Sequence, residues 1–119
     1  MIQSYRDLIV WQKAMDYAFE VYQLSRKFPK EELYSLTNQI QRAAISIPSN
    51  IAEGKGRTSK AEFAHFISIA LGSLAETETQ ILLSIRLQYI TDNQAKLALN
   101  LREEISKMLV TLYLKLTMS

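Results

Sequence analysis

Cysteine is absent from the chain, which removes disulfides, thiolate metal sites and cysteine nucleophiles together. Histidine occurs once, too few for a multi-histidine metal cage. Three glycines and two prolines in 119 residues fall well below the roughly 12% that these residues usually supply. Sandwiches, barrels and glycine-rich phosphate loops all demand more of them. The longest run without Asp, Glu, Lys or Arg is the 13 residues from Phe63 to Ala75, whereas a membrane-spanning helix needs about 20. Arg6 and Asp7 precede only a few apolar residues before Gln12 and Lys13, which is not the pattern of an export signal. A cytoplasmic location is the default expectation, with no membrane partner.

What is present is a soluble, globular composition, 48% hydrophobic and 22% charged, in a length that fits one domain over residues 1–119. The apolar period is helical almost throughout. Over Leu8–Lys27, Trp11, Ala14, Met15, Ala18, Val21 and Tyr22 recur at steps of three and four, with Gln12, Lys13, Asp16, Glu20 and Gln23 opposite. Phe28-Pro29 ends this helix, because a residue before proline is pushed out of helical geometry. A second helix is predicted from about Lys30, with Leu33, Leu36, Ile40, Ala43, Ala44 and Ile47 inward. Pro48 kinks it rather than ends it, since Ile51 continues the same face as far as Glu53. Gly54-Lys55-Gly56 then makes a loop.

Ser59-Lys60-Ala61-Glu62 is a capping-box pattern opening a third helix to about Tyr89, with Phe63, Phe66, Ile67, Ala70, Leu74, Ile81 and Ile85 on its seam. Thr91-Asp92-Asn93-Gln94 offers a slightly weaker cap for a fourth, which buries Leu97, Leu101, Ile105, Met108, Leu109, Leu112 and Leu116. The expected fold is all-α, an antiparallel up-down-up-down four-helix bundle. Ile69, Leu71, Leu82, Leu83, Leu87, Val110, Tyr113 and Leu114 lie outside those seams. That surplus predicts a homo-oligomer, because large exposed apolar patches rarely stay uncovered.

Candidate chemistry is sparse. His65 has no motif supplying a nucleophile or an orienting carboxylate, and Glu76 and Glu78, two apart, project to different sides of a helix. Glu62 and His65 have the E-x-x-H spacing but lack the second Glu and His of a di-metal bundle. No catalytic residue, metal, cofactor or small-molecule substrate is expected. More pointed is the polar side of the second helix, where Gln39, Arg42, Ser46, Ser49, Asn50 and Glu53 fall within about a third of the helical circumference. Amides and hydroxyls dominate there. Such a stripe is either a satisfied seam or a binding surface continued by Lys55, Arg57 and Lys60, cations suited to phosphates. The net charge is only +2, yet residues 1–60 carry nine Lys/Arg against six Asp/Glu, and residues 61–119 five against six.

The stretch Gln39-Ile40-Gln41-Arg42-Ala43-Ala44-Ile45-Ser46-Ile47-Pro48-Ser49-Asn50-Ile51-Ala52-Glu53-Gly54 resembles the signature of the bacterial four-helix bundle proteins encoded in intervening sequences of 23S rRNA genes. Tyr5-Arg6-Asp7-Leu8-Ile9-Val10-Trp11-Gln12-Lys13-Ala14, Phe28-Pro29 and Ala70-Leu71-Gly72-Ser73-Leu74-Ala75-Glu76 are similar to the same family, with Tyr5 where Phe is common. The resemblance implies a left-handed bundle assembled as a homopentamer, for which no enzymatic activity is established. The family is related to the accessory protein of diversity-generating retroelements, a basic pentameric barrel that binds nucleic acid and a reverse transcriptase. By that analogy the partner here is RNA or a ribonucleoprotein, with Arg42, Lys55, Arg57 and Lys60 as phosphate contacts. A protein-interaction scaffold without direct nucleic-acid binding is the alternative.

Overall fold

The structure is a computed structural model that describes residues 4–118. Four helices carry it, α1 (Ile9–Ser25), α2 (Leu36–Lys55), α3 (Lys60–Arg86) and α4 (Asp92–Thr117), with short 3-10 turns at Tyr5–Asp7 and Lys30–Glu32. No strand occurs among the described residues. Helix α1 packs on α2, α2 on α3, α3 on α4 and α4 on α1, closing a four-sided bundle 46 Å long and 25 × 22 Å across. Its length suits helices of 26 or 27 residues at about 1.5 Å per residue.

Steps of three and four bring the buried side chains to one interior. They include Val10, Ala14, Tyr17, Val21 and Leu24 from α1, and Ile40, Ala44, Ile47 and Ile51 from α2. Ile67, Ala70, Leu74 and Ile81 come from α3, and Ala95, Ala98, Ile105 and Leu109 from α4. The interior is not wholly apolar. Tyr17 is fully buried and its hydroxyl meets Thr77 Oγ1 at 2.7 Å, reaching from α1 to α3 across the bundle. Because Thr77 Oγ1 donates its own proton to the Leu74 carbonyl, the tyrosine hydroxyl is the donor. Burial pushes the Tyr17 phenol up to about 12, since the phenolate would lose its water there.

Several helix ends differ from the expectation, each for a local reason. The segment after Pro29 makes only one 3-10 turn, and Ser35, at φ −129° and ψ −100°, delays α2 until Leu36. Leu33 is therefore exposed rather than inward, and so is Leu97 in the second turn of α4. Met15 also reaches the surface. In place of a side-chain cap, Glu32 Oε1 accepts from the Leu36 N–H and the Ser35 hydroxyl. Its other oxygen accepts from the Tyr89 hydroxyl at 2.7 Å, tying the α1–α2 connection to the α3–α4 connection. Those bonds hold the Glu32 carboxyl below its usual range, chiefly that from Ser35, and the Tyr89 phenol above its own.

Pro48 sits inside an α2 that runs on past Glu53 to Lys55, so Gly54 and Lys55 are helical and the loop is confined to residues 56–59. The missing backbone donor costs about 3 kcal/mol. Ile47 and Ile51, fully buried on either side of it, offset that loss. Helix α3 stops at Arg86 rather than Tyr89 because Gln88 adopts φ 66°. The Gln88 N–H donates to the Ile85 carbonyl and the Tyr89 N–H to the Ser84 carbonyl, the paired bonds of a left-handed helix stop that usually takes glycine. Nothing in the residue types announced it. Both expected caps form, but the reciprocal box is at Thr91–Gln94, whereas Ser59 receives only the Glu62 N–H.

Candidate nucleic-acid interface

The polar stripe of α2 divides. Gln39, Arg42 and Ser46 line a cleft of about 290 Å³ against Ser73 and Glu76 of α3. At its floor the Ser46 hydroxyl receives the Ser73 hydroxyl at 2.9 Å and the Asn50 amide at 2.9 Å, while the same amide donates to the Ser46 carbonyl at 2.7 Å. Ser46 and Asn50 are thus members of a satisfied seam, half-buried. Gln39 and Arg42 stay exposed at the rim. Beyond Glu76, which takes a long 3.4 Å bond from the Gln80 amide, the buried Gln80 Oε1 has no hydrogen-bond partner among the described residues.

Ser49 leaves this group and joins the opposite side of α2. There it borders a trough of about 560 Å³ lined by Trp11, Met15, Phe19 and Tyr22 of α1 and by Ile45, Pro48 and Ala52 of α2, with Tyr5 and Arg26 at its margins. Trp11 and Tyr22 read as core positions from spacing alone, yet both are only half-buried because they floor this trough. Phe19, not singled out from the sequence, is 60% exposed. The signal was available in Met15, Phe19 and Tyr22 at steps of four and three.

At the α2–α3 corner the remaining candidates converge. Glu53 in the last turn of α2 pairs with Arg57 of the connection at 3.2 Å, and Lys55 and Lys60 flank that connection, Lys55 half-buried and Lys60 exposed. The Arg57 guanidinium lies over the Phe66 ring with its carbon 4.9 Å from the centroid, and the His65 ring meets Phe66 edge-on at 5.7 Å and 71°. Spacing alone places Phe66 in the core seam. It is half-buried, and its outer face serves the corner.

The corner is held tightly. A Cβ on Gly54 would stand 2.8 Å from Phe63 Cδ1 and 2.8 Å from Phe66 Cβ, so glycine permits α2 to approach α3 there. Arg57, Ala61, Glu62, His65 and Phe66 enclose a shallow recess of about 320 Å³. Among the described residues no group of three His, Asp or Glu is placed to hold a metal ion, and no helix is long and apolar enough to cross a membrane.

Comparison with known proteins agrees with this architecture. No curated protein matches the chain. A 1.70 Å crystal structure of a protein of unknown function from the S23 ribosomal protein family of Bacteroides thetaiotaomicron VPI-5482 is similar at 31% identity. It matches with a TM-score of 0.81 over 88% of this chain and 98% of that one. The family model for the 23S rRNA-intervening sequence protein matches residues 6–111. With a match of that extent on an all-helical, four-helix chain, the protein belongs to the 23S rRNA-intervening sequence protein family.

Proposed function

We propose that this chain works without catalysis, as a cytoplasmic, self-assembling antiparallel bundle of up-down-up-down topology that binds RNA or a ribonucleoprotein along its α2–α3 side. The observation that carries the reading is the convergence of Lys55 at the end of α2, Arg57 in the connection and Lys60 at the start of α3 on one corner, with Arg42 exposed along α2. Glu53 and Glu62 are the acids beside them, and Glu53 is already engaged by Arg57. Cations so placed recognise a phosphate backbone by charge, and the hydroxyls and amides of the neighbouring cleft suit backbone contacts better than base readout. The relative described as belonging to a ribosomal protein family is consistent with such a partner. The test is binding of a structured RNA across a salt series. Affinity is expected to fall steeply with salt, and Lys55→Ala with Lys60→Ala to flatten the slope by roughly one unit per lost phosphate contact. Absence of binding at low salt, or binding indifferent to salt, overturns the reading.

A second observation favours assembly. The α1–α2 trough exposes Phe19, Met15 and Ile45, while Leu82 and Leu83 of α3, Leu87 just after it, and Leu97, Val110 and Leu114 of α4 are exposed. A trough on one side of the subunit and exposed apolar side chains on the helices away from it suit head-to-tail contacts that close a ring, and the resemblance puts the number of copies at five. If assembly persists while RNA binding fails, the protein is a scaffold for other proteins.

A further inference from the structure

We propose that the α2–α3 corner is a stacking site for one unpaired base of single-stranded RNA, a step that rests on the RNA-binding reading above and narrows it. Three features distinguish the corner from a plain basic patch. Arg57 is engaged on two sides, paired with Glu53 at 3.2 Å and with its guanidinium carbon over Phe66 at 4.9 Å from the ring centroid, so part of the ordering needed to present its plane is already met. Its side chain nonetheless remains 45% exposed, leaving guanidinium surface for a second ring. His65 is exposed and adjoins the same Phe66, adding an aromatic wall to the recess bounded by Ala61 and Glu62.

Stacking on arginine planes and aromatic rings is how unpaired bases are bound without reading their sequence. A base inside a duplex keeps both faces covered and cannot enter. Lys55 and Lys60, at either end of the connection that carries Arg57, would take the flanking phosphates, while Glu62 repels phosphate and keeps the backbone on the lysine side. An apolar peptide is the poorer occupant. The recess is ringed by Arg57, Glu62 and His65, whereas the trough that suits apolar side chains lies on the other side of α2.

The experiment compares a single-stranded oligoribonucleotide carrying one 2-aminopurine with the same oligonucleotide annealed to its complement, using the full chain at low salt. The single strand is expected to bind at least tenfold more tightly, with a change in 2-aminopurine emission on binding. Arg57→Lys keeps the charge but loses the plane, so it should weaken single-strand binding roughly tenfold and leave the salt slope unchanged. His65→Ala should weaken it less. Both side chains are exposed, so circular dichroism and melting should match the wild type. Equal binding of single strand and duplex, or an Arg57→Lys variant with undiminished affinity, overturns the stacking site while leaving the RNA-binding reading in place. No binding of either RNA by the wild type overturns both.

Discussion

On the side toward α1, α2 presents Ile45, Pro48 and Ala52 to a trough walled by Trp11, Phe19 and Tyr22; on the side toward α3 it presents Gln39, Arg42 and Ser46 to a cleft closed by Ser73 and Glu76. One continuous helix, Leu36–Lys55, supplies both, separated only by the 100° turn between successive residues. The difference is thermodynamic. Apolar surface in the trough gains about 25 cal/mol for every Å² that a neighbour covers, whereas the hydroxyls and amides of the cleft already have partners or water. Assembly and recognition can therefore be encoded on one helix without competing for the same side chains.

The strongest way to break the comparison is to damage what the two seams share. Ile47 is fully buried, between Ser46 of the cleft and Pro48 of the trough. Ile47→Ala should cost about 2–5 kcal/mol in urea unfolding, and should loosen both sides together. A loss below about 1 kcal/mol would show that the two seams stand on separate supports.

Alkaline pH gives the next largest effect, and it acts between α1 and α3. The Tyr17 phenol is pushed up to about 12 in the folded chain against an ordinary value near 10. The folded state thus keeps a proton that the unfolded state gives up, and stability falls as pH rises through this window. The full loss, on the order of 2–3 kcal/mol, accrues between about pH 10 and pH 12. Tyr17→Phe removes the titrating group, so its melting temperature should vary less with pH there, although it starts lower for want of the bond to Thr77. A wild type and a variant that decline in parallel would assign the alkaline transition elsewhere.

Much of this was legible because burial follows the apolar period. Ala14, Ala18 and Val21 in α1, and Ile40, Ala44, Ile47 and Ile51 in α2, are read correctly from steps of three and four. Three exposed apolar side chains mark where that rule fails. A large apolar residue scores as core whether a neighbour covers it or not, so spacing puts Leu33, Leu97 and Met15 inward although all three are exposed. Conversely Tyr17, Thr77 and Ser84 are fully buried although each carries a polar group, and only the partner across the bundle, or the helix's own carbonyl in the case of Ser84, makes that affordable. At the candidate interface the residue types were visible, but their division was not. Ser49 and Asn50 are neighbours in sequence, and one turns to the trough while the other closes the cleft.

Gly54 sharpens the comparison from the corner. Valine there would press on Phe63 and on the Phe66 Cβ, and the Phe63 carbonyl 3.3 Å away leaves little room for α3 to yield. Gly54→Val should therefore destabilise by about 1–3 kcal/mol and displace Phe66 from beneath Arg57. On the proposed reading, RNA affinity should fall while the assembled mass, assigned there to the opposite seam, stays constant. A mass that falls with it would mean that corner and trough are mechanically one unit.

The smallest effect on the fold should come from the trough, and there the smallness is the point. Phe19 and Ile45 are exposed at 60% and 46%, so replacing both by glutamate removes few interior contacts. Each stands on a helix surface where glutamate is well tolerated, and the change in unfolding free energy of the isolated subunit should stay within about 0.5 kcal/mol. Self-association is another matter, because two carboxylates would have to enter an apolar contact without partners. Light scattering should show the mass dropping to that of a single copy at micromolar concentration. Low-salt RNA binding per subunit, resting on Lys55, Arg57 and Lys60, should survive at reduced avidity. An unchanged mass would mean the copies meet elsewhere, and the exposed leucines of α3 and α4 would then have to pair with each other across a two-fold axis.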